Sequence, residues 1–315
     1  MTFGRITTKL MTNRSIENLH LNLKNLNDLQ NKLSSGKNIN TPSDDPIGLS
    51  RLLSLDETMK QNEIYTNNIG TARSELSTTD SLLSSVTNIV QRANELVTQA
   101  GGTVDSDGLQ SIKEEMQQLL NQTVQIANTK FGDKYLFGGL RTTDPPFVQN
   151  TTTNETVYQG TSAPNEKREV EIGNGVTISI NFAGDDVFGE NTAGPPAVQT
   201  GIIGTLAQTI SDLDTAIANP TDVNRKAVFQ HVADLKDDLD TILSTQTTVG
   251  ALVNRLDLTE NRLSENELAL SKEYGAIQDV DLAKVISDLN FQQSVFQTSL
   301  AATSKILQPT LLNYL

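Results

Sequence analysis

The sequence predicts a mainly α protein, an elongated helical bundle or coiled coil formed by the N- and C-terminal segments, with a small β-rich outer domain inserted in the middle. Three observations predict it. Apolar residues recur at seven-residue intervals in five separate stretches, and period is the strongest helix signal a single sequence offers. Aromatics make up only 4% of the chain, tryptophan is absent, and Leu, Ile, Val and Ala are spread among polar residues, which suits thin helical bundles better than a thick core. Between residues 141 and 204 the apolar period changes from helical to strand-like.

The first helical stretch runs Ile16, Leu19, Leu23, Leu26, Gln30, Leu33. Gly36 is placed to end it at a C′ position, Ser43 or Asp44 to cap the next helix, and Pro46 to sit in that helix's first turn. The second stretch sets Ile69, Leu76, Leu83, Val90 and Val97 seven apart, up to a break at Gly101 and Gly102. The third (Leu109, Ile112, Met116, Leu119, Thr123, Ile126) is opened by Asp105, Ser106 and Asp107 as candidate N-caps.

In the outer segment, Pro145, Pro146, Pro164, Pro195 and Pro196 interrupt long helices. Val170 and Ile172, then Val176, Ile178, Ile180 and Phe182, alternate with polar residues as strands do, and Gly173-Asn174-Gly175 supplies a tight hairpin turn. The fourth helical stretch keeps Val228, Leu235, Ile242, Val249, Leu256, Leu263, Leu270 and Ile277 at a strict seven-residue interval. A helix of about fifty residues spans roughly 75 Å, and a sustained 3.5-residue period means that it lies along other helices. Its companion line (Val232, Leu239, Gln246, Val253, Glu260, Glu267, Tyr274) turns polar towards the C-terminal half. The fifth stretch is Leu282, Ile286, Leu289, Gln293, Phe296, Leu300, Thr303, Leu307. The implied division is a terminal coiled-coil assembly domain (1–44 and 280–315), a helical rod domain (45–140 and 205–279) and a β-rich outer domain (141–204), with both termini at one end.

Composition excludes several chemistries. The formal charge of −14 argues against nucleic acid and anionic membrane surfaces. Residues 1–37 hold six basic and two acidic side chains, and residues 289–315 hold Lys305 and no acid, so the negative charge lies between the two ends. Cysteine is absent and histidine is limited to His20 and His231, which read as solvated residues without partners, so disulfide, thiolate and histidine-based metal or triad chemistry have no material. No continuous apolar h-region or membrane-length apolar run is present. The sequence contains no HExxH, P-loop, GxGxxG after a strand, or GxSxG motif. Asp44 and Asp45 read as cap and dipole partners rather than an acid–base pair, Asp105-Ser-Asp107-Gly108 as a cap rather than a calcium loop, and Asp185, Asp186 and Glu190 form the one acidic cluster that an enzyme could use. The chain is therefore read as a non-enzyme, with no cofactor and no metal.

Leu33-Ser-Ser-Gly-Lys-Asn-Ile-Asn-Thr-Pro-Ser-Asp-Asp-Pro46 and the following Ile-Gly resemble the signature after the first helix of the flagellin superfamily. The tail from Asp279 onward resembles that superfamily's C-terminal helix. Phe131-Gly-Asp-Lys-Tyr-Leu-Phe-Gly-Gly139 with Asp144-Pro-Pro-Phe147, and the opening Arg5-Ile-Thr-Thr-Lys-Leu-Met, are similar to the hook-associated protein 3 branch rather than to ordinary flagellins. The chain departs from the pattern at Asn290-Phe291 and in the composition of residues 148–200.

The resemblance implies a structural adaptor at the hook–filament junction of the bacterial flagellum, an extracellular protein exported by the type III apparatus without a cleaved signal peptide. It implies as partners the first hook-associated protein, flagellin, an export chaperone and further copies in a ring; a minor flagellin is the alternative. The motif residues carried over are Gly36, Asp44, Asp45, Pro46, Tyr135, Phe137 and Gly138. The residues expected to carry assembly are Ile16, Leu19, Leu23, Leu26, Leu33, Leu282, Ile286, Leu289, Phe296, Leu300 and Leu307. Gln and Thr at core positions make each terminal helix marginal alone, so residues 1 to about 40 and 280–315 are expected to be poorly ordered in the monomer and to fold as paired helices only on assembly.

Overall fold

The computed structural model describes residues 8–102, 105–150, 155–160, 167–192 and 198–312, without the side chains of residues 8–9, 150, 155, 191–192, 198–199 and 306–312. Arg5, Pro164, Pro195 and Pro196 lie outside the described residues, as does the side chain of Leu307. The chain divides into two compact units, Met1–Asn62 with Ser264–Leu315, and Glu63–Leu263. Two long helices, α2 (Pro46–Ala100) and α6 (Asp222–Gln278), contribute to both units.

In the first unit, α1 (Thr8–Ser35) packs antiparallel to α7 (Leu282–Leu312). Gly36, at φ +69°, ends α1 as its sequence predicts, its amide donating to Lys32 O at 3.0 Å. The cap of α2 is a correction: it is Asp45, not Ser43 or Asp44. Asp45 Oδ1 accepts from the amides of Ile47 (3.1 Å) and Gly48 (2.9 Å), with Pro46 at the first helical position. Asp44 instead closes the loop, its Oδ2 accepting from the amides of Asn40 (3.0 Å) and Thr41 (2.9 Å). Those two amides, Thr41 first, hold its carboxyl below the ordinary carboxylate value.

In the second unit the seven-residue lines of α2 and α6 are the core. Ile69, Leu76, Leu83, Val90 and Val97, with Val228, Leu235, Ile242, Val249 and Leu256, are at most 1% exposed, and burying each such side chain contributes about 1.5–3 kcal/mol. Where the companion line turns polar, it meets charge. Arg73 pairs with Glu260 and reaches Asp257 at 2.7 Å. The third helix, α3 (Ser106–Ala127), is capped by Asp105, whose Oδ1 accepts from Gly108 N at 2.9 Å. Its buried line includes Leu120, Val124 and Ala127, with Leu119 and Ile126 only partly covered.

The outer elements are β1 (Lys130–Phe131), β2 (Lys134–Tyr135), β3 (Phe147–Asn150), β4 (Glu155–Tyr158), β5 (Glu169–Gly173), β6 (Val176–Ser179), α4 (Gly184–Phe188), β7 (Asn191–Thr192) and β8 (Val198–Gln199). Strands β5 and β6 form the expected hairpin around Asn174-Gly175, with Gly175 at φ +66°. The strands β3-β4-β7-β8 form a four-stranded antiparallel sheet that the alternation did not reveal. On the free edge of β3, Asn128 at the end of α3 acts as a surrogate strand. Its Nδ2 donates to Phe147 O and its Oδ1 accepts from Phe147 N, both at 2.9 Å. A helix absent from the sequence reading, α5 (Gly201–Ala218), lies against α3 with Ile202, Ile203, Leu206, Ile210 and Leu213 buried.

Candidate assembly surface

The contact between α1 and α7 determines which terminal residues remain available. On α1 the more covered side chains along the seam are Thr12, Ser15, Leu19, Asn22, Leu26, Leu29 and Leu33; on α7 they are Val285, Leu289, Gln292, Phe296, Ser299 and Thr303, with Lys32 and Val295 beside the seam half-covered too. Both sets are spaced alternately three and four apart, the signature of a coiled-coil seam. Leu19, Leu26, Leu33, Leu289 and Phe296, all expected in assembly, thus face the seam.

The remaining described members of that set do not. Ile16 (41% exposed), Leu23 (42%), Ile286 (47%), Leu300 (44%) and Leu282 (51%) stay open to solvent. The periodic count had merged two adjacent lines of α1: the companion of Leu19 and Leu26 in the seam is the Ser15–Asn22–Leu29 line, not Ile16–Leu23–Gln30. In an antiparallel pair the positions just beyond the seam on both helices fall on the same flank. The register that sets Asn22 beside Gln292 therefore brings Ile16 level with Leu300, Leu23 with Gln293, and Gln30 with Ile286. Each rung carries at least one aliphatic side chain. The opposite flank is more polar, with Asn18, Asn25 and Lys32 on α1 and Asp288, Val295 and Ala302 on α7. The first flank is accordingly the more apolar of the two, while Leu21 (54% exposed) and Phe291 (69%) stand open on the outer faces of the helices.

The base of the pair is tied to the helix joints. Val280 N donates to Gly36 O (3.1 Å), Asn38 N to Gln278 O (2.7 Å), and Gln278 Nε2 to Ile39 O (3.3 Å), so the loop after α1 runs antiparallel to the turn between α6 and α7. A methyl group on Gly48 would stand 2.4 Å from the Asp45 carboxylate and 2.7 Å from Ile39 Cδ1. The Asp-Asp-Pro-Ile-Gly run is therefore a close-packed joint.

The motif residues of the outer region also serve packing. Phe137 is fully buried, edge-on to Phe188 at 4.7 Å, and its carbonyl accepts from Tyr158 OH at 3.1 Å. Gly138 is buried where it bridges Ala183. Tyr135 is half-buried, with Lys130 Nζ 4.5 Å from its ring centre.

His231 is a second correction, because it is neither solvated nor without partners. It is buried between α5 and α6, with Nε2 2.8 Å from Asp212 Oδ2 and Nδ1 2.9 Å from Asp234 Oδ2. Asp234 at i+3 was visible in the sequence; Asp212, on another helix, was not. Nearby, burial pushes the Asp238 carboxyl up to about 6, with the like charges of Asp234 and Asp237 adding to the rise against a hydrogen bond from Thr205. Its Oδ2 is buried without a hydrogen-bond partner. An unfolded carboxyl titrates near 3.9, so the folded chain holds a proton here that the unfolded chain has released, and stability falls as pH rises from about 4 to about 6. Asp238→Asn should therefore raise stability at pH 7.5 by about 1–2 kcal/mol and leave it nearly unchanged at pH 3.5. Thermal unfolding of both proteins at the two pH values checks this.

Asp185, Asp186 and Glu190 do not converge on a nucleophile or base: Asp186 is exposed, and Glu190 accepts from Tyr158 N at 3.3 Å. Among the described residues no group of three His, Asp or Glu side chains is placed to hold a metal ion, and no helix is long and apolar enough to cross a membrane.

A helical scaffold with paired termini, a tied joint and an apolar flank defines a subunit of flagellin type. The family model of the bacterial flagellin N-terminal helical region matches residues 6–142, and that of the C-terminal helical region matches residues 232–315. Together they take in more than half of the chain, which belongs to the flagellin superfamily. Flagellar hook-associated protein 3 of Escherichia coli (strain K12) is 27% identical over 309 residues, covering 95% of each chain. The flagellin of Bacillus subtilis (strain 168) is 29% identical over 287 residues, covering 88% of each. The fold is shared with the crystal structure of flagellar hook-associated protein 3 from Legionella pneumophila, at TM-score 0.60 and 20% identity, covering 71% of this chain and 99% of that one.

Proposed function

We propose that this chain is a structural adaptor of the bacterial flagellum, forming a layer between the first hook-associated protein and the flagellin filament. The observation that carries the reading is the exposed flank of Ile16, Leu23, Ile286 and Leu300 on the paired terminal helices. Several aliphatic side chains in line on a helix pair mark a surface made for another protein. Similarity along nearly the whole chain to hook-associated protein 3 supports the junction over the filament itself.

In this reading residues 1–44 and 280–315 are the assembly domain, 45–140 and 205–279 the rod, and 141–204 the outer surface. The chain is exported through the type III apparatus without signal cleavage, with a chaperone covering α7 until assembly. Its terminal helices gain full order when neighbouring copies cover the flank. It performs no catalysis.

A strain lacking the chain should secrete flagellin into the medium and carry hooks without filaments, with both restored by a plasmid copy. Filaments of normal length on the deletion strain would contradict the assignment.

A further inference from the structure

Midway along the seam between α1 and α7 lies a hydrogen-bonded polar layer that the assembly surface alone does not require. Asn22 Nδ2 donates to Ser299 Oγ at 3.0 Å, while Gln292 Nε2 donates to both the backbone oxygen and Oδ1 of Asn22 at 3.3 Å. All three residues are partly covered. Towards the joint, the seam is aliphatic, with Leu26, Leu29 and Leu33 on α1 and Val285 and Leu289 on α7. Leucine at these positions of Asn22 and Gln292 would bury more apolar surface and stabilise the pair.

We propose that the Asn22–Gln292–Ser299 layer fixes the register of the terminal helix pair, and that this register assembles the apolar flank from two half-stripes. The joint hydrogen bonds, Val280 N to Gly36 O and Asn38 N to Gln278 O, hold the base of the pair; farther along the helices a seven-residue pattern by itself permits slippage by one heptad in either direction, because every slip again sets seam residues against seam residues. The polar layer removes that freedom. Sliding α7 one way parts Asn22 from Ser299 and sets it between Val285 and Gln292; sliding it the other way parts Gln292 from Asn22 and sets it against Leu29. Each slip thus breaks part of the network and brings a side-chain amide against aliphatic carbon, and an amide left without its partner costs more than the bond contributes when made. A polar residue at one seam position is a known way to specify register at some expense in stability. Here the register has a second consequence. A one-heptad slip moves Leu300 away from Ile16 and Ile286 away from Gln30, so the flank no longer carries an aliphatic side chain at each level. Asn22 and Gln292 are thus positioning residues: they lie outside the flank and set its spacing. The inference rests on the reading of that flank as the assembly surface.

Absence of cysteine from the chain allows a direct test on the purified full-length protein. Cysteine pairs at 26 and 289 report the observed register, and pairs at 26 and 282 or 26 and 296 report the two slips. With Asn22 and Gln292 in place, oxidation should yield the intramolecular 26–289 disulfide almost alone. In the Asn22→Leu, Gln292→Leu background the ratio of slipped to registered product should rise at least about tenfold, the factor given by about 1.4 kcal/mol of lost preference. Gln30→Leu, which adds the same apolar surface on the flank outside the seam, should leave the ratio unchanged. Retention of a single register in the doubly substituted background would overturn the proposal, as would equal slippage in the Gln30→Leu control. A doubly substituted chain that slips yet still seats filaments in the complemented strain would uphold the register lock and refute the flank as the assembly surface.

Discussion

Replacing Ile16 and Leu300 together with glutamate is expected to abolish filament attachment while leaving the free chain folded. Both side chains are more than 40% exposed in the helix pair, and exposed substitutions away from caps and buried networks usually change stability by no more than about 0.5 kcal/mol. In an assembled layer the same two side chains are covered by a neighbour. Complete burial of an aliphatic contributes about 1.5–3 kcal/mol; with about two-fifths of each side chain still open, losing two weakens each subunit contact by about 1–2.5 kcal/mol, or roughly fivefold to sixtyfold. Two carboxylates per copy on a desolvated flank add to the loss. Swimming assays and electron microscopy of a strain carrying only the double variant check the functional half, and thermal unfolding of the purified variant checks that the fold survives. A charge change on the polar flank, such as Asn25→Glu, should leave both unchanged.

The second large effect is expected in the fold. Arg168, at the start of the β5 hairpin, pairs with Glu75 on α2, whose side chain is only 8% exposed. Arg168→Ala strands a buried carboxylate, and breaking such a pair from one side destabilises by about 3–5 kcal/mol. For a unit of this size the melting temperature should fall by roughly 10 °C. Replacing both partners, as in Glu75→Leu with Arg168→Met, should recover most of the loss, because apolar groups of similar volume often match a buried ion pair. Calorimetry on the single and double variants separates this from a simple loss of packing, for which the second substitution would deepen the defect. The exposed Arg92 bridge to Glu95 and Glu115 should contribute no more than about 1 kcal/mol.

These two sites differ in how openly the sequence announces them. The lines Ile69–Val97 and Val228–Leu263 were legible because a seven-residue repeat of aliphatic side chains constrains little else. Helix α5 escaped because Ile202, Ile203, Leu206, Ala207 and Ile210 crowd its first turns with little polar contrast, so no narrow stripe stands out. The β3–β4 pair escaped because Phe-Val-Gln-Asn and Glu-Thr-Val-Tyr are each too short to show an alternation, and because a side chain, Asn128, completes its edge. Glu75 and Arg168 sit 93 positions apart, and Asp212 and His231 lie on separate helices, so local spacing carries no trace of either pairing. On α1 the error was systematic. An apolar template selects Ile16 and Leu23 over Ser15 and Asn22, yet the seam takes the polar line and leaves the greasy one outside. That inversion is what the proposed assembly surface rests on.

The central claim, that the chain forms a junction layer rather than a filament, is tested most directly by locating it on intact flagella. Gold-labelled antibody against the outer region, residues 141–204, should mark one narrow band where the filament leaves the hook. Label distributed along the filament would contradict the account and make the chain a minor flagellin.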